Sequence, residues 1–275
     1  MQTLYISDLD GTLLTPDCTL SDQSAQILNR LIQKGLLFSI ATARSASSAM
    51  PLLAKLQLRL PVILMNGAVL YDPVKKRTAS VAPIAPVAAQ QALAVFARHG
   101  QHPFFTQLRN GGLEVCFTEL KPGRNREYYE ERKNAPDKKF RPVARLEITP
   151  TADPVYFALF GSRHALSPIV QELSGIKGLS HVFYRDTYSD DWLIEAFSGK
   201  ASKPAGAIQL LKQTGAQQLI SFGDNLNDLP LFQASDGCYA VSNAHPDVRR
   251  AASGVIGSNA SDAVARFLLE NWCIL

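Results

Sequence analysis

TLYISDLDGTLL, residues 3–14, is the stretch on which the fold turns. Residues 4–7 are a short β-favouring run, and it ends on two carboxylates, Asp8 and Asp10, two positions apart and followed by Gly11. Open parallel sheets bind their ligands beyond the carboxyl ends of the strands, so this acidic pair stands where chemistry is expected. Residues 21–33 then place apolar side chains at Ala25, Ile27, Leu28, Leu31 and Ile32, the period of a helix, and Gly35 stands where a helix stop belongs. A strand over 36–41, a helix over 45–55 and a strand over 62–65 follow. The alternation returns near the other end of the chain, with helices over 204–213, 226–234 and 262–270 and strands over 218–222 and 237–241. Strands alternating with helices of this length imply right-handed crossovers and an α/β, Rossmann-like parallel sheet that draws on both ends of the chain.

The middle of the chain reads differently. A helix is predicted over 86–99, strands over 114–118 and 155–161, a helix over 167–173 capped by Ser167 with Pro168 in its first turn, and strands over 182–185 and 192–197. This pattern predicts an inserted α+β domain at 84–187, between core segments 1–83 and 188–275.

Composition narrows the classes. The 275 residues are 46% hydrophobic and 19% charged, with a formal net charge of +4, which fits a domain that buries a core and excludes general disorder. The longest apolar stretch, 60–71, is broken by Asn66 and Gly67 and falls well short of the roughly 20 residues that a membrane span needs. The first residues show neither a basic start nor an apolar middle, so a cytoplasmic protein is expected, with no membrane partner. Cys18, Cys116, Cys238 and Cys273 form no CxxC pair and are expected to be reduced thiols. Residues 121–145 carry nine basic side chains, Arg124 and Arg126 among them, against four acidic ones. That segment reads either as a solvated helix and loop or as a surface that attracts an anionic substrate; no nucleic-acid motif accompanies it.

A second acidic cluster, GDNLND at 223–228, follows the strand predicted over 218–222. Placed on the same sheet edge as Asp8 and Asp10, Asp224 and Asp228 would complete a metal site made of oxygen ligands, which suits Mg²⁺ and needs neither His nor Cys. Thr42 follows a predicted strand and offers a hydroxyl and an amide where anions are favoured. Lys203 precedes Pro204, which should push it out of helical geometry and send its ammonium from a loop at the start of the next helix.

DLDGTLL at 8–14, ATAR at 41–44, MNGA at 65–68, SKPAGAIQLL at 202–211, GDNLND at 223–228 and SNA at 242–244 resemble the haloacid dehalogenase (HAD) superfamily. Their order and the place of the insertion are similar to the Cof-type sugar-phosphatase branch, which carries a C2-type α/β cap. The resemblance implies a HAD core with an inserted cap that sets substrate specificity. It makes Asp8 the nucleophile and Asp10 the general acid and base. Asp8, the Asp10 carbonyl and Asp224 would contact the metal, supported by Asp228, while Thr42, Lys203 and Asn227 would hold the phosphoryl end of the substrate. Ala43 stands where the family often has glycine, Pro204 where glycine commonly follows the lysine, and Lys200 is the alternative for the lysine role.

The expected activity is Mg²⁺-dependent hydrolysis of a small phosphorylated metabolite, a sugar phosphate or phosphorylated cofactor, through an aspartyl phosphate. A carboxylate with a reference pKa near ~4 would already be ionised at neutral pH, so Asp8 would need no base. A phosphotransferase or mutase using the same aspartyl phosphate, a receiver-like signalling module and a non-catalytic phosphate-binding protein are the alternatives.

Overall fold

The computed structural model describes residues 2–186 and 189–272. The chain opens with β1 (Thr3–Ser7), α1 (Asp22–Gln33), β2 (Leu37–Ile40), the single-turn α2 (Ala46–Ala49), β3 (Val62–Leu64), β4 (Val69–Asp72) and β5 (Arg77–Val81). It continues through α3 (Pro86–Arg98), β6 (Phe104–Arg109), β7 (Gly112–Phe117), α4 (Arg124–Arg132), β8 (Lys138–Pro142), β9 (Asp153–Gly161), α5 (Arg163–Leu173), β10 (Leu179–Arg185) and β11 (Trp192–Ser198). The last stretch is α6 (Lys203–Thr214), β12 (Gln218–Gly223), α7 (Leu229–Gln233), β13 (Gly237–Val241), α8 (Pro246–Ala251), β14 (Gly254–Ile256) and α9 (Ala263–Asn271). Ser80–Ala201 forms one compact unit and the two flanking segments together form another.

In the flanking unit five parallel strands run in the order β14-β13-β12-β1-β2. β1, apolar at Leu4, Tyr5 and Ile6 and buried throughout, lies between the two halves of the chain: Ser7 stands opposite Phe222 on one side and Ile40 on the other. The residues that leave these strands, Asp8, Gly223 and Ala41, therefore emerge together at one sheet edge. β3 runs parallel to β2, joined through an Ala41–Ile63 bridge as the alternation predicts, and β4 then turns back to pair antiparallel with β3. The helices follow ordinary rules. Ser21 caps α1 by accepting the Ser24 amide at 2.9 Å, and Ala25, Leu28, Leu31 and Ile32 are buried at helical spacing. Each leucine or isoleucine so buried contributes about 1.5–3 kcal/mol.

The Ser80–Ala201 unit has a six-stranded sheet in the order β10-β11-β9-β6-β7-β8, antiparallel except for β7-β8. One face packs Phe105, Phe157 and Ile194 against Phe96 of α3 and Ile169 of α5, and Phe105 stacks on Phe157 with ring centroids 4.9 Å apart. The other face carries Phe104, Phe117 and Phe160 against Tyr128 and Tyr129 of α4. β11 pairs on both sides within this sheet, so it belongs to the insertion, whereas the expected boundary at 188 leaves it in the core. Residue 188 itself lies outside the described residues. A short half-apolar strand reads alike in either sheet; its pairing partners are what differ.

Three local expectations change. α5 starts at Arg163, with Ser162 as its cap, so Ser167 caps nothing; its hydroxyl donates back to the Arg163 carbonyl at 2.7 Å. Pro168 sits inside the helix, at a penalty of about 3 kcal/mol, and the burial of Leu166, Ile169 and Leu173 at about 1.5–3 kcal/mol each outweighs it. The expected helix over 226–234 is a 3-10 turn, Leu226–Asp228, followed by α7. The basic segment is also partly engaged: buried Arg124 donates to Asp186 at 2.9 Å and to Glu131 at 2.8 Å, and Arg126 donates to the Leu120 carbonyl at 2.6 Å. Cys18, Cys116 and Cys238 are free thiols; Cys273 lies outside the described residues. Among the described residues no helix is long and apolar enough to cross a membrane.

Candidate active site

The Asp8 amide donates to the Phe222 carbonyl at 2.9 Å, which ties the exit of β1 to that of β12. The chain then makes a five-residue π-type turn over Leu9–Leu13, closed by the Leu14 amide on the Leu9 carbonyl at 2.9 Å and anchored by buried Leu9, Leu13 and Leu14. Gly11 occupies the left-handed region at φ +77°, and a Cβ there would lie 2.5 Å from the Asp224 carboxylate. A side chain is thus excluded both by backbone geometry and by the group beside it. Thr12 donates to Asp224 Oδ1 at 2.7 Å, and the Asn243 amide group donates to the Gly11 carbonyl at 2.8 Å.

Asp228 organises the other loop. It is fully buried; its Oδ2 accepts the amides of Asp224 at 3.0 Å and Asn225 at 3.1 Å, while its Oδ1 accepts from Lys203 at 2.7 Å. The same Lys203 ammonium donates to Asp8 Oδ1 at 2.5 Å. Lys203 is the first residue of α6, with Ser202 capping the Ala205 amide at 3.1 Å, so it projects from the helix itself and not from a preceding loop. At the first turn Pro204 loses no backbone bond, and the cap sets the direction of the chain. Gly67, at φ +90°, lets this cap approach, since a Cβ there would stand 2.1 Å from the Ser202 carbonyl oxygen. Lys200 is exposed.

Oxygens of Asp8, Asp224 and Asp228 lie within 4.8 Å of one another. Burial pushes the Asp8 carboxyl up to about 8, against the pull of Lys203 and with the help of Asp228 and Asp224. Without a further cation, Asp8 is thus not the freely ionised carboxylate that its reference value suggests. Burial raises Asp224 too, against the Thr12 hydrogen bond. Burial alone would lower the Lys203 ammonium, but Asp8 and Asp228 prevail and raise it. The donor set is oxygen throughout and carries more negative than positive charge, which fits a hard divalent cation such as Mg²⁺.

Thr42 is buried behind β2; its amide donates to the Ile63 carbonyl at 2.9 Å and its hydroxyl oxygen accepts the Arg44 amide at 3.2 Å. Asp10 is partly exposed and clamped by Arg44, whose Nε and Nη2 each donate to one carboxylate oxygen at 2.7 Å. Arg44, Thr12 and Asn243 all lie in the quoted motifs, yet the sequence reading gave them no role. Asn227 lies in the 3-10 turn before Asp228 and is exposed, and among the described residues its side chain makes no hydrogen bond.

A family model described as haloacid dehalogenase-like hydrolase matches residues 5–268. The chain belongs to this family. The pyridoxal phosphate phosphatase YbhA of Escherichia coli is 27% identical, over 96% of each chain. The 5-amino-6-(5-phospho-D-ribitylamino)uracil phosphatase YitU of Bacillus subtilis is 23% identical, over 97% of this chain and 96% of its own. Among solved structures, a haloacid dehalogenase-like hydrolase from Bacteroides thetaiotaomicron superposes with a TM-score of 0.75 at 20% identity, covering 99% of this chain and 100% of its own, and so shares the fold.

Within this haloacid dehalogenase-like hydrolase, the tightest constraint on the acidic group is the contact between Gly11 and Asp224. Gly11→Ala should keep the protein folded, with a stability loss of about 1–2 kcal/mol for the strained φ, and lower kcat/KM at least ~100-fold by displacing Asp224. Urea unfolding and steady-state hydrolysis check this; near-normal turnover would show that the Asp224 position is not needed.

Proposed function

We propose that the protein is a Mg²⁺-dependent phosphatase that hydrolyses small phosphomonoesters through a phosphorylated Asp8. The observation that carries the reading is the Lys203 ammonium 2.5 Å from Asp8 Oδ1, beside two further carboxylates in the same buried group. Such a group has little use in packing, because buried charges need compensation that apolar side chains do not. The names of the full-length relatives, phosphatases of phosphorylated small molecules, support the same chemistry.

Asp8, the Asp10 carbonyl and Asp224 would hold the Mg²⁺, which supplies positive charge against the phosphate oxygens. Asp228, with both oxygens committed to Lys203 and to loop amides, is assigned to positioning and not to direct ligation. Lys203 offsets the negative charge of an incoming phosphomonoester and orients Asp8 for attack on phosphorus. The Thr42 hydroxyl, whose oxygen already accepts a bond, has its proton to give to a phosphate oxygen. As the P–O bond to the leaving group breaks, Asp10 gives that oxygen a proton; it then takes one from the water that hydrolyses the acyl phosphate. Arg44, which holds both Asp10 oxygens in this structure, would release one of them when Asp10 carries its proton. The Ser80–Ala201 unit is the proposed source of substrate selectivity.

Asp8→Asn should reduce phosphatase turnover at least ~1000-fold and abolish transfer of labelled phosphate to the protein. Retained turnover would refute the role of Asp8. A raised Asp8 also makes cation affinity pH-dependent. Below about 8 the cation-free carboxyl holds a proton that a bound cation must displace, so Mg²⁺ affinity should rise by up to ~tenfold per pH unit between pH 6 and 8 and flatten above. Calorimetric titration in two buffers of different ionisation heat reads both affinity and proton release; a pH-independent affinity without proton release would contradict the assignment.

A further inference from the structure

Residues 242–245, the loop between β13 and α8, bind both acidic turns of the flanking unit. The Asn243 side-chain amide donates to the Gly11 carbonyl at 2.8 Å, and the His245 backbone amide donates to the Asp224 carbonyl at 2.8 Å. These carbonyls belong to the two residues that meet across the turns, since a Cβ on Gly11 would lie 2.5 Å from the Asp224 carboxylate. The loop is itself anchored from behind. Asn243 Oδ1 accepts the Asn259 amide at 3.0 Å, which fixes the side chain so that its nitrogen faces Gly11. Asn259, buried at the head of the 3-10 turn before α9, in turn donates from Nδ2 to the Leu14 carbonyl at 2.9 Å. One asparagine therefore holds the Leu9–Leu13 turn near its middle, and the other holds the residue whose amide closes it.

The turn departs from helical geometry at Asp10, with φ −77° and ψ 125°, and at Gly11, with φ +77°. Peptide units there have no regular ladder to orient them, so an outside donor on the Gly11 carbonyl sets which way that peptide faces. The same peptide leads into Thr12, whose hydroxyl donates to Asp224 Oδ1 at 2.7 Å. Asparagine suits the place because one side chain both accepts from the anchor and donates to the turn; aspartate keeps only the acceptor, and alanine keeps neither. We propose that Asn243, backed by Asn259, is a positioning residue of the site: through the Gly11 carbonyl it fixes Asp10 on one side and, by way of Thr12, the Asp224 carboxylate on the other. The assignment rests on the phosphatase reading and adds to it the residue that keeps the two acidic turns in register for the cation.

The test uses Asn243→Ala and Asn243→Asp. Asn243 is exposed, so both variants should unfold in urea near the wild-type midpoint. In Asn243→Ala, Mg²⁺ affinity measured by calorimetry without substrate should fall ~10-fold, as expected for a group that orients ligands from outside the coordination shell. Its kcat for p-nitrophenyl phosphate at saturating Mg²⁺ should also fall ~10-fold with KM within ~2-fold, because the reacting groups are displaced and the binding of the ester is not. Asn243→Asp keeps the anchor to Asn259 and loses only the donor, so its kcat should fall as far. A kcat near wild type in Asn243→Asp would reduce Asn243 to a loop anchor and overturn the proposal; so would an unchanged Mg²⁺ affinity in Asn243→Ala, or a loss confined to KM. If the wild-type protein neither binds Mg²⁺ nor hydrolyses the ester, the phosphatase reading fails on its own. Amide hydrogen exchange then still decides the hold on the turn: ~10-fold faster exchange over residues 9–14 in Asn243→Ala supports it, and unchanged exchange overturns it.

Discussion

A single ammonium, that of Lys203, sits between the carboxylates of Asp8 and Asp228, and the rest of the site is arranged around it. All three groups are buried, with side-chain exposures of 3% for Lys203, 9% for Asp8 and 0% for Asp228. Removing charges from water is expensive, and one lysine offsets only one of the carboxylates gathered there. Burial, helped by the neighbouring carboxylates, raises Asp8 and Asp224, and the group is short of a cation. An arrangement chosen for stability alone would have used apolar side chains; this one retains an excess of negative charge that a divalent cation would offset.

The fold exists at this edge to bring distant parts of the chain together. β1 supplies Asp8, β12 leads into Asp224 and Asp228, and the first residue of α6 supplies Lys203. Two glycines permit the approach: Gly11 makes room for the Asp224 carboxylate and Gly67 for the cap of α6. The Arg44 clamp adds a separate element, because it holds Asp10 through both oxygens while leaving the carboxylate partly exposed. The proposed acid and base is thus fixed in direction without being buried, as a group that exchanges protons with a substrate and with water requires.

Much of this was legible in the sequence, for a physical reason. An apolar strand followed by an acidic turn is a local pattern, and the same pattern at 8–12 and 223–228 places Asp8, Asp224 and Asp228 on one sheet edge once the parallel topology is accepted. What remained hidden depends on pairing or on side-chain direction. The expected boundary at 188 fell short of β11, a strand of the middle region, and Ser167 with Pro168 mimics a helix start in the middle of α5. The Arg44 clamp on Asp10 spans 34 residues and has no local signature, and the burial that raises Asp8 cannot be read from its neighbours in the chain.

The central claim is that Asp8 receives the phosphoryl group beside a cation held by both halves of the chain. A crystal structure of the protein with Mg²⁺ and beryllium fluoride, which mimics an acyl phosphate, tests it most directly. The account predicts fluoroberyllate bonded to a carboxylate oxygen of Asp8, with Lys203 against its fluorines and Mg²⁺ contacting both Asp8 and Asp224. Fluoroberyllate on another residue, or Mg²⁺ bound away from these two carboxylates, would contradict it.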